Sequence, residues 1–274
     1  MMNYSVKTFY FSATETTKKI ATGIAGKLAE SFVDGRVVNV DFTLPDARKE
    51  PASFAENDIV IAGLPVYAGR VPNVLLKYLN AVEGNGAMAV AVVVYGNRHY
   101  DDALMEWRDI LESRGFNVIA AGAFIGEHSF SRILGGNRPD AQDMLRVMEF
   151  AKMIHQKLTA SQNAMETVSV PGKKPYRPYY RPKDKDGNPA SILKVVPKTS
   201  DDCIHCGLCA SLCPMGSVDV NDESIITGIC IKCCACIKNC PVEAKYFDDE
   251  NYLWHKQELE VAFASPRREP EWFL

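Results

Sequence analysis

The chain has 274 residues, a length that corresponds to about two domains. Hydrophobic residues make up 47% of it and charged residues 24%, which is typical of folded globular proteins and excludes disordered and collagen-like classes. The net charge is only -3, and the longest apolar run, Ala87–Tyr95, is far shorter than the about 20 residues that a transmembrane helix needs.

The N-terminal residues Met1 to Lys7 lack the basic and apolar regions of a secretory signal. We therefore expect a cytoplasmic protein. In that compartment thiols stay reduced, so clustered cysteines indicate metal or redox chemistry more than disulfides.

Strands and helices are predicted to alternate over residues 1–160. The predicted strands are Val6–Phe11, Arg36–Val40, Asp58–Ala62, Met88–Val94 and Asn117–Phe124. The predicted helices cover about Thr16–Ala29, Pro72–Ala81, Asp101–Ser113 and Pro139–Leu158. Apolar strands separated by helices are typical of a parallel sheet covered on both faces. The pattern predicts an α/β domain with a doubly wound, five-stranded parallel sheet.

A hydroxyl-rich loop follows the first predicted strand and leads directly into a helix. It consists of Ser12, Ala13, Thr14, Glu15, Thr16 and Thr17. Hydroxyls and backbone N–H groups at a helix start beyond a strand favour phosphate binding, although a Ser/Thr-rich cap is also a common structural feature. The segment resembles the phosphate loop of flavodoxins, which bind FMN. Glu15 departs from that family, which usually carries glycine there.

Two more loops follow the third and fourth strands and lie at the same sheet edge. The candidate flavin contacts in them are Pro65, Val66, Tyr67, Gly69, Gly96, Asn97, Arg98 and Tyr100. Tyr67 and Tyr100 offer aromatic faces, and the two glycines permit close backbone approach. Simple packing is the alternative for the aromatic residues, but three convergent loops favour FMN.

His128, after the fifth predicted strand, is a weak catalytic candidate. It follows Glu127 at the same sheet edge and could place a proton donor near the flavin. The alternative is a loop histidine satisfied by local hydrogen bonds.

A proline-rich basic linker is predicted over residues 161–199. Its stretch 171–200 has eight basic and two acidic residues, a net charge of +6, whereas 201–274 has six basic and thirteen acidic residues, a net charge of -7. Solvated charge or pairing with the acidic segment is favoured over nucleic-acid binding, because no fold for base recognition accompanies the linker.

All nine cysteines lie between Cys203 and Cys240, in two runs that repeat after 27 residues. Each run has the spacing C-x2-C-x2-C-x3-C-P, with the prolines at Pro214 and Pro241. This spacing resembles that of two-cluster 4Fe-4S ferredoxins, in which the fourth cysteine binds the other cluster. We therefore expect a small α+β ferredoxin-like domain over residues 200–250.

The resemblance implies two ligand sets. One cluster takes Cys203, Cys206, Cys209 and Cys240, and the other takes Cys230, Cys233, Cys236 and Cys213. Structural zinc is the alternative, but two complete runs with their prolines argue against it. Cys234 is surplus and is interpreted as a packing residue, and His205 as an exposed loop residue.

The whole chain resembles flavodoxin–ferredoxin fusion proteins of anaerobic bacteria and archaea. The segments Gly63–Tyr67 and Tyr95–Tyr100 carry the likeness in the first half. The tail, residues 251–274, is expected to form a capping helix over Tyr252–Phe263 that packs through Leu253, Trp254 and Leu259.

The resemblance implies electron transfer between two 4Fe-4S clusters and FMN. The alternative is an FMN-dependent reductase of a small organic acceptor, and a third hypothesis is an interaction module built on the linker. The expected partners are redox proteins, namely a ferredoxin, a flavodoxin or an oxidoreductase, with no nucleic acid. The sequence is compatible with either a monomer or a homodimer.

Overall fold

A computed structural model describes residues 4–32, 35–160 and 166–274. The strands are β1 Ser5–Tyr10, β2 Val37–Asp41, β3 Asp58–Pro65, β4 Met88–Tyr95, β5 Asn117–Ile125, β6 Lys198–Thr199, β7 Lys245–Tyr246 and β8 Glu271–Phe273. The helices are α1 Thr16–Ala29, α2 Leu76–Leu79, α3 Ala103–Ser113, α4 Ala141–Ala160, α5 Leu208–Ser211, α6 Ala235–Lys238 and α7 Glu250–Phe263, with 3-10 turns at Pro45–Arg48 and Asn73–Leu75.

The central sheet has the strand order β2-β1-β3-β4-β5-β8, and its first five strands are parallel. The order 2-1-3-4-5 is that of the flavodoxin-like doubly wound fold, which confirms the predicted fold class. In register, Val6 pairs with both Val37 and Ile59, and Ile59 pairs with Met88. All five parallel strands therefore end at one edge, and the loops that follow them lie together.

Each face of the sheet is covered by its own hydrophobic core. On one face Ile20 of α1 and Phe150 of α4 pack on Ile61 and Val90. On the other face Trp107 of α3 is 1% exposed and donates from Nε1 to the Ala62 carbonyl at 2.8 Å. Alternate residues along each strand point to opposite cores, so the near-continuous apolar runs in the sequence reflect burial on both sides.

The sixth strand, β8, is a difference from the predicted five-stranded sheet. It pairs antiparallel with β5, with Ala121 opposite Phe273, and Trp272 stacks on Phe150 at 5.8 Å between ring centroids. Three residues are too few to show a strand period. The strand forms because β5 offers an open edge and Phe150 of α4 offers a partner ring, and the sequence near β8 shows neither of these.

Two predicted helices differ in detail from the structure. The helix expected over Pro72–Ala81 is reduced to the 3-10 turn Asn73–Leu75 followed by the single turn α2. The tail helix α7 is present, but Leu253 and Trp254 are 43% and 40% exposed, so their predicted packing is wrong. The buried face of α7 consists of Tyr252, His255 and Leu259.

Residues 200–250 form a small unit with an internal repeat. The turns α5 and α6 begin 27 residues apart, and β6 pairs antiparallel with β7. Within the described residues, no helix has the length and apolar character required to span a membrane. The predicted linker begins at residue 161, and residues 161–165 lie outside the described residues. Met1 to Asn3, at the start of the segment that lacks a secretory signal pattern, also lie outside them.

Candidate functional site

The two cysteine runs have the same backbone course. His205 and Lys232 occupy corresponding positions, with φ of 52° and 54°. Gly207 and Cys234 also correspond, with φ of 70° and 59°, and each precedes the short helix of its half. The left-handed residues turn each loop so that its cysteines face one point, which is what ligation of a compact cluster requires.

Each loop closes on a cavity lined by four of the predicted ligands. One cavity is lined by Cys203, Cys206, Cys209 and Cys240. A second cavity is lined by Cys213, Cys230, Cys233 and Cys236. The fourth cysteine of each run thus lies with the first three of the other run. Four thiols around one space are a donor set that suits a 4Fe-4S cluster.

Corresponding backbone amides point at the two crossing sulfurs. Ser217 N–H donates to Cys213 Sγ at 3.3 Å, and Ala244 N–H donates to Cys240 Sγ at 3.2 Å. Hydrogen bonds to ligand sulfurs stabilise negative charge and tune the potential of a cluster.

The cysteines of the second cavity are the more buried ones, since Cys233 is buried whereas Cys206, its counterpart in the first run, is exposed. Burial holds the pKa of the Cys233 thiol well above its ordinary value and raises the pKa of Cys236 to about 12. Metal binding at this loop must therefore displace protons from its thiols.

Cys234 also lines the second cavity, but its sulfur has a partner outside the ligand set. The side chain is 4% exposed, and Sγ lies 3.6 Å from the Tyr252 hydroxyl of α7. Burial raises the pKa of the Cys234 thiol to about 11. These contacts agree with the interpretation of Cys234 as a packing residue.

Glu223 holds the first loop in place, although no sequence motif identifies it. Its carboxylate accepts from Gly207 N–H at 3.1 Å and lies 3.0 Å from His205 Nδ1. Cys203, His205 and Glu223 place ligand atoms within 4.8 Å of one another. A glutamate in the connection between the two runs carries no local signal, because only the fold brings it back to Gly207.

The hydroxyl-rich loop after β1 has free backbone donors. Ser12 N–H donates to Thr43 Oγ1 at 2.8 Å, and Ser12 Oγ accepts from Lys18 N–H at 3.0 Å. The N–H groups of residues 13–17 donate to no described residue. Five unpaired amides at the start of α1 are suited to bind a phosphate.

Glu15 adopts the conformation that a glycine would favour. It caps α1 with φ of 63°, and its exposed carboxylate pairs with Lys18 at 2.6 Å. Thr14 and Thr16 are half-buried, whereas Thr17 is 1% exposed. The departure at Glu15 therefore leaves the turn intact but adds an acidic group beside it.

The loops after β3, β4 and β5 meet, as predicted, but several side chains there already have protein partners. A Cβ at Gly69 would collide with the Asp101 carboxylate, and one at Gly96 would collide with the His128 ring. Asn97 is buried and donates to the Phe263 carbonyl at 2.7 Å. The glycines thus admit neighbouring side chains, and Asn97 ties the tail to the loop.

The two tyrosine candidates differ in their surroundings. Tyr100 is 2% exposed, packs against Tyr95, and donates to Glu271 Oε2 of β8 at 2.9 Å. Tyr67 is half-buried. Burial is the main reason that the pKa of Tyr67 lies well above its ordinary value, and the nearby thiols of Cys233, Cys234 and Cys230 raise this pKa further. Tyr67 therefore lies near the thiols of the second cysteine run.

Arg98 forms an ion pair with Asp101 and lies over the Tyr180 ring at 4.9 Å. The linker thus covers one side of the loop after β4.

His128 is neutral at physiological pH. Its Nδ1 accepts from Phe130 N–H at 3.1 Å, and its ring is held over Gly96. Desolvation lowers its pKa to about 3, and the charge of Lys238 adds to that effect. In the structure, His128 therefore forms a local hydrogen bond, as the alternative to a catalytic role predicts.

The cysteine domain is attached directly to the sheet edge. Lys238 of α6, whose side chain is 11% exposed, donates from Nζ to Glu127 Oε1 at 2.5 Å and to the His128 carbonyl at 2.7 Å. Arg48 donates to the Pro214 carbonyl, and Ile231 packs on the sheet core. These contacts place the second cavity beside the loops after β2 and β5.

Two linker cations form ion pairs with the α/β domain, and a third forms the expected kind of pair with the acidic segment. Arg177 pairs with Asp102 at 2.8 Å and Lys174 with Asp109 at 2.7 Å. Lys198 pairs with Asp248 of the cysteine domain at 2.6 Å. Asp102 is fully buried, so a linker cation compensates its charge more effectively than solvent-exposed pairing would.

The family model for the 4Fe-4S binding domain matches residues 196–219. A search of curated proteins gives no match. Solved structures with a similar fold include the flavodoxin of Streptococcus pneumonia TIGR4, with 19% identity, a TM-score of 0.38, and coverage of 56% of this chain and 98% of that one. A flavodoxin from the domain Archaea has 15% identity, a TM-score of 0.40, and coverage of 56% and 98%.

The NADH:FMN oxidoreductase EMOB, in its apo form, has 17% identity, a TM-score of 0.41, and coverage of 60% of this chain and 95% of that one. The strand order and the family match together describe the chain as a flavodoxin-like α/β domain joined to a 4Fe-4S binding domain.

Proposed function

We propose that the protein transfers electrons between two 4Fe-4S clusters and a flavin, FMN. The observation that carries the proposal is the pair of cavities, each lined by four of the predicted ligand cysteines, drawn from both runs. The cysteine domain also lies on the sheet edge that holds the candidate phosphate loop. The clusters supply one-electron chemistry, and the flavin supplies one- and two-electron chemistry.

The chain's own residues would hold these groups in distinct ways. The eight predicted ligand cysteines would bind iron as thiolates, and the amides of Ser217 and Ala244 would stabilise the negative charge. The free amides of residues 13–17 and the hydroxyls of Thr14 and Thr16 would bind the FMN phosphate. Pro65, Val66 and Tyr67 would line the flavin ring on the side of the second cavity.

Electron transfer is favoured over the reductase alternative by the state of His128. A proton donor for an organic acceptor needs a pKa near the working pH. His128 has a pKa of about 3 and no proton on Nδ1, which accepts from Phe130. The residue best placed for acid catalysis is therefore neutral, while direct contact between the two domains suits electron transfer.

Chemical analysis of protein prepared without oxygen tests the cofactor content. We expect about eight irons, about eight acid-labile sulfides and about one FMN per chain. Zinc, or no more than about four irons after full reconstitution, would contradict the two-cluster assignment.

The phosphate loop has a matched test. Thr14→Ala should weaken FMN binding by about 1–3 kcal/mol, because a hydroxyl to a charged phosphate is lost. Thr22→Ala serves as the control, since Thr22 Oγ1 bonds to the Lys18 carbonyl one turn further along α1. Equal FMN affinity in both variants, measured by fluorescence titration, would show that the phosphate binds elsewhere.

A further inference from the structure

The unit of residues 200–250 has two halves, one around each cavity. Their corresponding surfaces differ in how far they are exposed to solvent. Around the second cavity, Ile231 packs against the sheet core and Ala235 is 0% exposed. The corresponding residues 27 positions earlier, Ile204 and Leu208, are 59% and 37% exposed. The same apolar face is therefore covered in one half and open in the other.

The α/β domain covers the second half. Arg48 donates to the carbonyl of Pro214, which is buried, and the ring of Pro45 lies 3.4 Å from the Cβ position of Gly216. Lys238 completes the contact with Glu127. The covered face thus serves as an internal docking surface.

No described residue covers the first half in this way. Pro241, the counterpart of Pro214, is exposed, and Val242 beside it is 37% exposed. Ile204, Leu208, Pro241 and Val242 all line the first cavity. We call this set the outer apolar face. Its apolar side chains lie where the equivalent ones in the second half meet another protein domain.

Acidic residues border the outer apolar face. Asp201, Asp202 and Glu243 are exposed there. The corresponding positions in the covered half are Gly228, Ile229 and Gly216, which are neutral. Because the second loop is built without these charges, the carboxylates are not needed to form a cysteine loop. Their position suits attraction of a positively charged partner.

We propose that the outer apolar face is the docking site for a separate one-electron carrier protein, whose own redox centre lies in an apolar patch bordered by lysine and arginine. The inference rests on the proposed function. A single electron passes between that centre and the cluster held by Cys203, Cys206, Cys209 and Cys240, with no bond formed or broken. Electrons then reach the flavin side through the covered half.

Binding can be tested without electron flow. Cytochrome c, a basic one-electron carrier, is titrated into the cofactor-loaded protein at low ionic strength with both proteins oxidised, and affinity is measured by calorimetry. The variant Asp201→Lys/Glu243→Lys is compared with Glu30→Lys/Glu56→Lys, which changes net charge equally at the opposite edge of the sheet. Glu30 and Glu56 are exposed.

We expect the first variant to lose at least about tenfold in affinity and the control less than about twofold. Salt should weaken wild-type binding strongly, because the Debye length falls to about 8 Å at physiological ionic strength. Ile204→Ser should weaken binding several-fold at every salt concentration, since it removes apolar contact rather than charge.

Equal losses in the two charge variants would overturn the proposal, because net charge alone would then explain binding. An unchanged affinity in Ile204→Ser would overturn the apolar contact in the same way. Iron, sulfide and FMN are measured on the same samples. A missing cluster or flavin there contradicts the proposed function, whereas a failure of site-specific binding in fully loaded samples contradicts only the docking site.

Discussion

Adjacent cysteines provide a test at the scale of single residues. Cys233 and Cys234 are both buried, but Cys234 has the Tyr252 hydroxyl as its sulfur's partner. Cys234→Ala should therefore retain about eight irons, while Cys233→Ala should lose the iron of one cluster, or about half. Iron analysis after anaerobic reconstitution distinguishes them. Equal loss in both variants would assign Cys234 to the ligand set.

His128 should make stability depend on pH. Desolvation lowers its folded-state pKa from 6.5 to about 3. Below pH 6.5 the unfolded chain takes up a proton that the folded chain does not, so the free energy of unfolding falls as the pH falls through this window. Wild type should lose about 2 kcal/mol more than His128→Gln between pH 7 and pH 5, at about 1.4 kcal/mol per pH unit. Anaerobic urea denaturation at the two pH values measures the difference, and identical losses would contradict it.

At the scale of elements, Glu15 in the turn before α1 has two unfavourable effects. Its left-handed backbone conformation lowers the stability of the fold, and its negative charge weakens phosphate binding. Glu15 has φ of 63°, and its carboxylate stands beside the free amides of the candidate phosphate site. Glu15→Gly should raise the free energy of unfolding by about 1 kcal/mol and should also tighten FMN binding several-fold.

Glu15→Gln separates the two effects. It removes the charge but keeps the left-handed conformation of a residue with a side chain. We expect tighter FMN binding than in wild type and no gain in stability of the FMN-free protein, measured by thermal denaturation. A stability gain equal to that of Glu15→Gly would show that charge, not backbone conformation, sets the cost.

Elements with a local pattern could be predicted, and those built by long-range contacts could not. The parallel strands and the cysteine repeat can each be recognised from a short stretch of consecutive residues. In contrast, β8 depends on the open edge of β5, and the Glu223 contact with Gly207 depends on how two loops fold together. The predicted flavin face of Tyr100 illustrates the same limit, because its buried hydroxyl meets Glu271 at the far end of the chain.

At the scale of the whole molecule, Lys238 joins the two domains. Its ammonium bonds to Glu127 and to the carbonyls of His128 and Ser131. Lys238→Met removes the cationic partner of the partly buried Glu127 carboxylate, which should loosen the contact between α6 and the loop after β5. We expect the first-order transfer of electrons from photoreduced clusters to FMN to slow by at least about tenfold.

Lys256→Met is the control, since Lys256 lies on α7 and makes only a 3.9 Å pair with Glu260. Transfer in wild type and in this control should be independent of protein concentration, because both centres belong to one chain. A rate proportional to concentration would instead mean transfer between molecules. An unchanged rate in Lys238→Met would show that the Lys238 contact does not govern the relay.

The cysteine domain lies between two segments that both return to the α/β domain. Before it, Tyr179 donates to the Val71 carbonyl at 2.7 Å, and after it, β8 pairs with β5. If the clusters are lost and the cysteine loops unfold, the chain ends of that region stay fixed. Rebuilding the loops around new iron would then begin from a closed loop whose conformational entropy is already reduced. Repair after oxidative damage could thus proceed in place, while the sheet and its six strands remain folded.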